Sequence, residues 1–295
     1  RAHIEARESW KKKELHNFIT LLPDIVQNLT QDNKLYEYES ANKWLAQVLQ
    51  HNLQGGEKKR GLSLLQSYRI LAAPEDVEPN NIRKAQIMGW CVEMLNTSLL
   101  MTVNALDKTG EELPDWYYEA SGKNVYDPAR IIETAMHKLL WETFSREPYY
   151  SNAQFLIHDT THKAMMGHVL DRQTRGDHSL DLFTMNRYSA IVQYTASHPS
   201  FKLPVMLALN MAGIQDPEIH RQASTILKEM GQFYQVQVCD TENYGSEDPE
   251  KIRTVKNLYH ELGLPSLLCT QIQQISRGIP HRVFLHFLDK WTHRD

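Results

Sequence analysis

Ile82 to Leu106 is a run of the chain with no proline, a single glycine at Gly89 and abundant apolar residues, and it follows directly on Pro79. Such a run has one economical solution, a long helix from just after Pro79 to about Asp107, roughly 40 Å in length. A helix this long that is apolar on more than one face has to be covered by other helices, which predicts a bundle with a buried central layer.

The rest of the sequence supplies those partners. Trp44, Leu45, Val48 and Leu49 form one helical stripe, and Leu64, Leu65, Tyr68, Leu71 and Ala72 form another that Pro74 ends. Leu113-Pro114 to Gly122 breaks the long helix. Asp127-Pro128 reads as an N-cap followed by proline in the first turn, opening a helix that runs to Ser145. Helical patterns then cover Asn152 to Asp171, Thr184 to Ser197, Leu203 to Met211, Glu218 to Val238, Pro249 to Glu261 and Gln271 to the end. No period-2 pattern marks a strand, so the expected class is all-α.

Composition narrows the function classes. No linker, low-complexity tract or repeat divides the 295 residues, which favours one domain. A net charge of -4 and a pI near 6.4 give no long-range attraction to nucleic acid or anionic lipid. Cys91, Cys239 and Cys269 are few, widely spaced and odd in number, as expected of a reducing compartment. The longest apolar stretch, Leu203 to Ile214, is interrupted by Pro204 and Asn210 and is too short to span a bilayer. Arg1 to Lys13 is charged and has no apolar segment of a secretory signal. The expected location is cytoplasmic, or mitochondrial if a transit peptide was removed before Arg1.

The glycine loop Gly55 to Gly61, the run Trp90 to Leu95 and the segment from Arg187-Tyr188 to Gln237 together resemble the farnesyl diphosphate synthases, a branch of the trans-prenyltransferases, with a likeness that extends from about Lys43 to the C-terminus. Gly55-Gly56-Glu57-Lys58-Lys59-Arg60-Gly61 is similar to the GGKxxRG loop of that family. Trp90-Cys91-Val92-Glu93-Met94-Leu95 is similar to the start of the helix that ends in its first aspartate-rich motif. Arg187-Tyr188 through Ser200-Phe201-Lys202-Leu203-Pro204, then Met211-Ala212-Gly213-Ile214 and Gly231 to Gln237, complete the likeness. The resemblance implies the isoprenoid synthase helical bundle and a homodimer formed through long helices.

It also implies a chemistry, the ionisation of an allylic diphosphate held by three Mg²⁺ ions on DDxxD-type clusters. Mg²⁺ takes oxygen ligands in near-octahedral geometry, so carboxylates at those positions are a chemical requirement. Here the sequence departs from the family. The first motif reads Val103-Asn104-Ala105-Leu106-Asp107, with one carboxylate, and the arginine pair that should follow gives way to Glu111 and Glu112. Glu57 stands at the loop lysine, where a carboxylate about 4 Å from a phosphate oxygen costs on the order of 4 kcal/mol at an effective dielectric near 20. Thr195 replaces a lysine, and His168 replaces the glutamine of GQxxD, although Asp171 is kept. Val238 and Cys239 occupy the first two aspartate positions of the second motif. The stretch from Glu242 to Pro265 resembles a part of the family about two helices further on, so a segment near Asp240 is expected to be missing relative to the family.

The candidate ligand-binding residues are therefore Arg60, Asn96, Ser98 and Leu99, and the candidate metal ligands are Asp107, Asp171 and Asp240. Ser98 and Leu99 fall just before the first motif, where the family sets product length with bulky side chains. A small residue there either deepens an apolar cavity for a longer isoprenoid or is closed over by its neighbours. His158 and His162 have the i, i+4 spacing of a zinc helix but lack the glutamate of HExxH, so a polar helix face is the simpler reading. Glu242, Ser246 and Glu250 have the spacing of a terpene-cyclase metal triad, but asparagine is missing and Gly245 and Pro249 interrupt the helix it needs.

The expected function is that of a synthase-like protein without Mg²⁺-dependent condensation, one that binds a hydrophobic isoprenoid-type ligand or pairs with and modulates an active relative. No cofactor is then expected. The enzyme alternative is a divergent prenyltransferase or terpene synthase that uses Asp107, Asp171 and Asp240 around fewer Mg²⁺ ions. A zinc hydrolase on His158 and His162 is a third and remote class.

Overall fold

The long run between Pro79 and Asp107 is a single helix over those residues in a computed structural model, which describes residues 12–31, 39–107, 127–176 and 184–244. A helical stretch over 12–19 leads into α1 (Leu22–Thr30), followed by α2 (Glu39–Leu53), α3 (Lys59–Leu71) and α4 (Pro79–Asp107). Next come α5 (Pro128–Phe144), α6 (Tyr150–Gly176), α7 (Met185–Val192), a π-helical segment (Gln193–Lys202), α8 (Leu203–Met211) and α9 (Pro217–Tyr244). No strand occurs among the described residues. The all-α expectation holds. The expected helices after Pro249 and the break around Pro114 lie outside the described residues, as do Glu111, Glu112, Ser246 and Glu250.

Helix α4 is the axis of the bundle, packing on α3 and α5 with smaller contacts to α2, α6 and α8. Trp90 through Leu95 are buried without interruption, so this part of α4 is covered on every side. The core runs from Phe18 through α1 to α6 and into α8. Glycine lets two of these helices touch. A Cβ on Gly61 would lie 3.0 Å from the Gly89 carbonyl oxygen, and one on Gly89 would lie 2.9 Å from that of Gly61, so α3 and α4 meet backbone to backbone. Phe18 seals the crossing, stacked on Trp90 with ring centroids 4.8 Å apart, and the Trp90 indole N–H donates to the Phe18 carbonyl at 3.0 Å.

The Asp127 cap falls where the sequence placed it, and Thr184, expected only as a helix start, is a second one. The Asp127 side chain accepts from the Ala129 N–H at 3.0 Å ahead of Pro128. Thr184 does the same for the Arg187 N–H at 3.2 Å. The expected helix from Thr184 to Ser197 differs in kind: the α-helix ends at Val192, and π-helical turns carry the chain through Pro199 to Lys202 and directly into α8. This segment is wedged between α6 and α9, where Phe201, Leu227 and Met230 form a second, smaller core.

Among the described residues no helix is long and apolar enough to cross a membrane. Cys91 is buried and free, and burial pushes its thiol pKa well above the ordinary range, which leaves it inert.

Candidate functional site

The glycine loop begins in a conformation that only part of its sequence tolerates easily. Gly56 has φ +84°, and Lys58, a non-glycine, has φ +51° as the N-cap of α3. From that position the Lys58 side chain turns inward. It is 6% exposed, its ammonium donates to the Gly55 carbonyl, and it lies 5.4 Å from the centre of the Trp90 ring. Burial lowers its pKa, and the charge of Glu93 partly restores it.

Helix α3 starts at Lys59, so its first N–H groups need partners from outside the helix. Glu93 of α4 supplies one, its buried carboxylate accepting from the Gly61 N–H at 2.7 Å. The remaining loop charges are also engaged. Lys59 pairs with the exposed Glu57. Arg60, partly buried, donates through Nε to the Ser200 hydroxyl at 3.0 Å. Burial lowers its pKa while Glu93 and Tyr234 pull it up; a guanidinium stays charged through such a shift.

The candidate ligand residues on α4 divide between core and surface. Ser98 is buried and its hydroxyl donates to the Leu95 carbonyl of its own helix at 2.8 Å, while Leu99 is part of the main core. Asn96 is partly exposed. Of the candidate metal ligands, Asp107 is the last residue of α4, Asp171 is a partly exposed residue of α6, and Asp240 belongs to α9. The side chains of Asp107 and Asp240, with those of Val238, Cys239 and Glu242, lie outside the described residues. Val103, at the first position of the DDxxD-like stretch, is half-buried on α4 and offers no oxygen.

Of the three candidate Mg²⁺ ligands, Asp171 is the one whose side chain is described. Among the described residues no group of three or more His, Cys, Asp or Glu side chains is placed to hold a metal ion. His158 is instead stacked on His137 of α5 at a centroid distance of 5.0 Å, and His162 is exposed. The Thr195 hydroxyl, at the lysine position, donates to the Ile191 carbonyl at 2.9 Å.

Sequence reasoning assigned no role to Glu93, Lys58 or Ser200, although all three lie within the stretches that carry the resemblance. A signal existed for Glu93, the only charged residue in the otherwise apolar Trp90 to Leu95.

A family profile described as Polyprenyl synthetase matches residues 42–256. The chain is 33% identical to a farnesyl pyrophosphate synthase of Nezara viridula, covering 95% of this chain and 82% of that protein. It is 30% identical to the farnesyl pyrophosphate synthase of Rattus norvegicus, over 94% of this chain and 95% of that one. A crystal structure of T. brucei farnesyl diphosphate synthase superposes with a TM-score of 0.70 at 18% identity, covering 88% of this chain and 91% of that one, which shows the shared fold. The alignment with the Nezara viridula protein extends over 334 positions against 295 residues here, so that relative carries internal residues with no counterpart in this chain.

Proposed function

The chain belongs to the polyprenyl synthetase family as a farnesyl diphosphate synthase-like member, and from that premise we propose that it does not catalyse Mg²⁺-dependent condensation. It binds a hydrophobic isoprenoid-type ligand, or pairs with and modulates an active relative. The observation that carries this reading is the inward turn of the glycine loop: Lys58 is held against Trp90, Lys59 is neutralised by Glu57, and Arg60 is tied to Ser200. A loop whose cations are used internally, with Glu57 on its exposed side, is poorly suited to hold a diphosphate. Val103 at the end of α4 supports the same conclusion from the metal side.

A missing segment near Asp240 is part of this proposal, supported by the extra aligned length of the Nezara viridula protein. So is a homodimer: α5 and α6 expose Trp141, Phe155 and Met166, large apolar side chains that a second copy would cover. The second reading, a divergent prenyltransferase around Asp107, Asp171 and Asp240, is favoured by one observation, that the loop arginine of the family is retained as Arg60.

Thermal melting separates the two. With Mg²⁺ and geranyl diphosphate together, the melting temperature stays within a degree or so of the apoprotein, whereas an isoprenoid alcohol without metal raises it by several degrees if the hydrophobic ligand is bound. A rise of several degrees that requires both Mg²⁺ and the diphosphate would overturn the proposal in favour of the enzyme.

A further inference from the structure

At the end of α3 away from the glycine loop, the bundle holds a cavity that the proposed function leaves unused. It measures about 270 Å³ and lies where the end of α3, the 3₁₀ turn Pro74–Asp76, the start of α4, the link between α5 and α6 and the end of α8 meet. Lys84, which lines it, is separated from Asp107 by roughly 35 Å of helical rise along α4. Asp76, Pro148 and Gln215 of the lining are exposed, so a small molecule can reach the cavity from solvent.

The hydrogen bonds of its wall leave acceptors over. The Asp76 carbonyl takes two donors, the Tyr68 hydroxyl at 3.1 Å and the Asn81 amide at 3.0 Å, whereas the Asp76 carboxylate makes no ion pair or hydrogen bond with a described residue. Lys84 donates to Glu147 Oε1 at 2.6 Å, and no described residue donates to Oε2. Tyr149 is 9% exposed, with its ring against Phe144 at 6.1 Å between centroids, and its hydroxyl has no hydrogen-bond partner among the described residues. That hydroxyl is not sealed as the Ser197 hydroxyl is, and Tyr149 lines the cavity. Burial, and after it the charge of Glu147, raises the Tyr149 pKa, so the group stays a protonated phenol. Helix α8 ends against the same cavity, where Gly213 at φ +72° turns the chain and the Ile214 N–H returns to the Leu209 carbonyl at 3.0 Å. The carboxyl end of a helix adds partial negative charge.

We propose that this cavity binds a small organic cation through a primary ammonium group. Lys84 is the cation of the lining and is already matched by Glu147, so Asp76 and the end of α8 leave the cavity electronegative. An ammonium has three donors and no acceptor, which complements the Asp76 carboxylate, Glu147 Oε2 and the Tyr149 hydroxyl oxygen. Tyr68 and Tyr149 add aromatic lining of the kind that attracts such a charge. The volume falls just below the about 300 Å³ at which pockets take drug-sized molecules, so the ligand is a compact amine.

The test is a ligand-observed NMR titration of the full chain with butylamine at neutral pH and low ionic strength, with butanol as the uncharged counterpart. Neither Mg²⁺ nor a diphosphate enters it, so its outcome is independent of the function proposed above. Saturable binding of the amine is expected, at least about tenfold tighter than that of the alcohol. Asp76→Asn keeps the backbone carbonyl that Tyr68 and Asn81 use, and it is expected to weaken the amine about tenfold. Tyr149→Phe is expected to weaken it several-fold and to melt with the wild type, because the hydroxyl it removes has no partner among the described residues. Failure of the amine to saturate, equal binding of amine and alcohol, or unchanged amine binding in either variant would overturn the proposal. So would a Tyr149→Phe variant that melts well below the wild type, since the hydroxyl would then be a structural support.

Discussion

Glu93 of α4 caps α3: its buried carboxylate accepts the Gly61 N–H at 2.7 Å, across two helices whose backbones touch at Gly61 and Gly89. One side chain thus serves as the missing acceptor for a helix start and as the counter-charge for two neighbouring cations, Lys58 and Arg60. Glu93→Ala removes all three roles and leaves a buried N–H without a partner, so a loss of about 3–5 kcal/mol in unfolding free energy is expected. Glu93→Gln keeps an acceptor and should lose distinctly less. Urea denaturation of the two variants gives the comparison directly.

The glycine crossing makes its own prediction. Gly89→Ala gains roughly 1 kcal/mol of helix propensity, but its new methyl would sit 2.9 Å from a backbone oxygen that cannot rotate away. Overpacking of this kind costs about 1–3 kcal/mol, so the variant is expected to be neutral to less stable by about 2 kcal/mol, and Gly89→Val clearly worse. A lower urea midpoint at unchanged m-value would locate the effect in the native state.

Acid sensitivity should concentrate on His198. Its folded pKa of about 4 lies below the ordinary value of 6.5, so between those values the unfolded chain binds more protons than the native one. Its share of stability is therefore complete above about pH 6.5 and is lost as the pH falls toward 4, amounting to roughly 3 kcal/mol in all. His198→Phe should flatten the dependence of the urea midpoint on pH across this window. An unchanged slope would show that other groups govern acid unfolding.

Asp127 offers a simpler case. Its side chain caps α5 through the Ala129 N–H, and Asp127→Ala should cost about 1 kcal/mol, while Asp127→Asn should cost only a few tenths. Thermal melts of the two variants resolve the difference.

Helix α4 was legible from end to end because proline before it and an unbroken apolar run within it leave no competing solution. Asp127-Pro128 marked the start of α5 to the residue for a similar reason, since both side chains act locally. The π-helical segment was not legible. Pro199 reads as a helix break, and only the packing of α6 and α9 around the segment sustains backbone turns that local preference does not favour. The helix over 12–19 and α1 carry an amphipathic pattern in Leu21, Leu22, Ile25, Val26 and Leu29 that could have been read and was not. At the site, residue types at family positions pointed to Glu57, Val103 and Arg60. The inward turn of Lys58 was hidden, because a lysine beside a tryptophan 32 residues away in sequence is a product of the fold.

The stack of Phe18 on Trp90 gives this protein an optical signal of its own. Trp90 is fully sealed from water, whereas Trp141 stands 61% exposed on α5. An indole in an apolar shell emits at shorter wavelength than one in water, so detachment of the amino-terminal helix would bring a red-shift from Trp90 while Trp141 stays unchanged. Fluorescence of a variant that keeps Trp90 and carries phenylalanine in place of Trp10, Trp44, Trp116, Trp141 and Trp291 would then follow the docking of that helix onto the bundle in real time, without an added label.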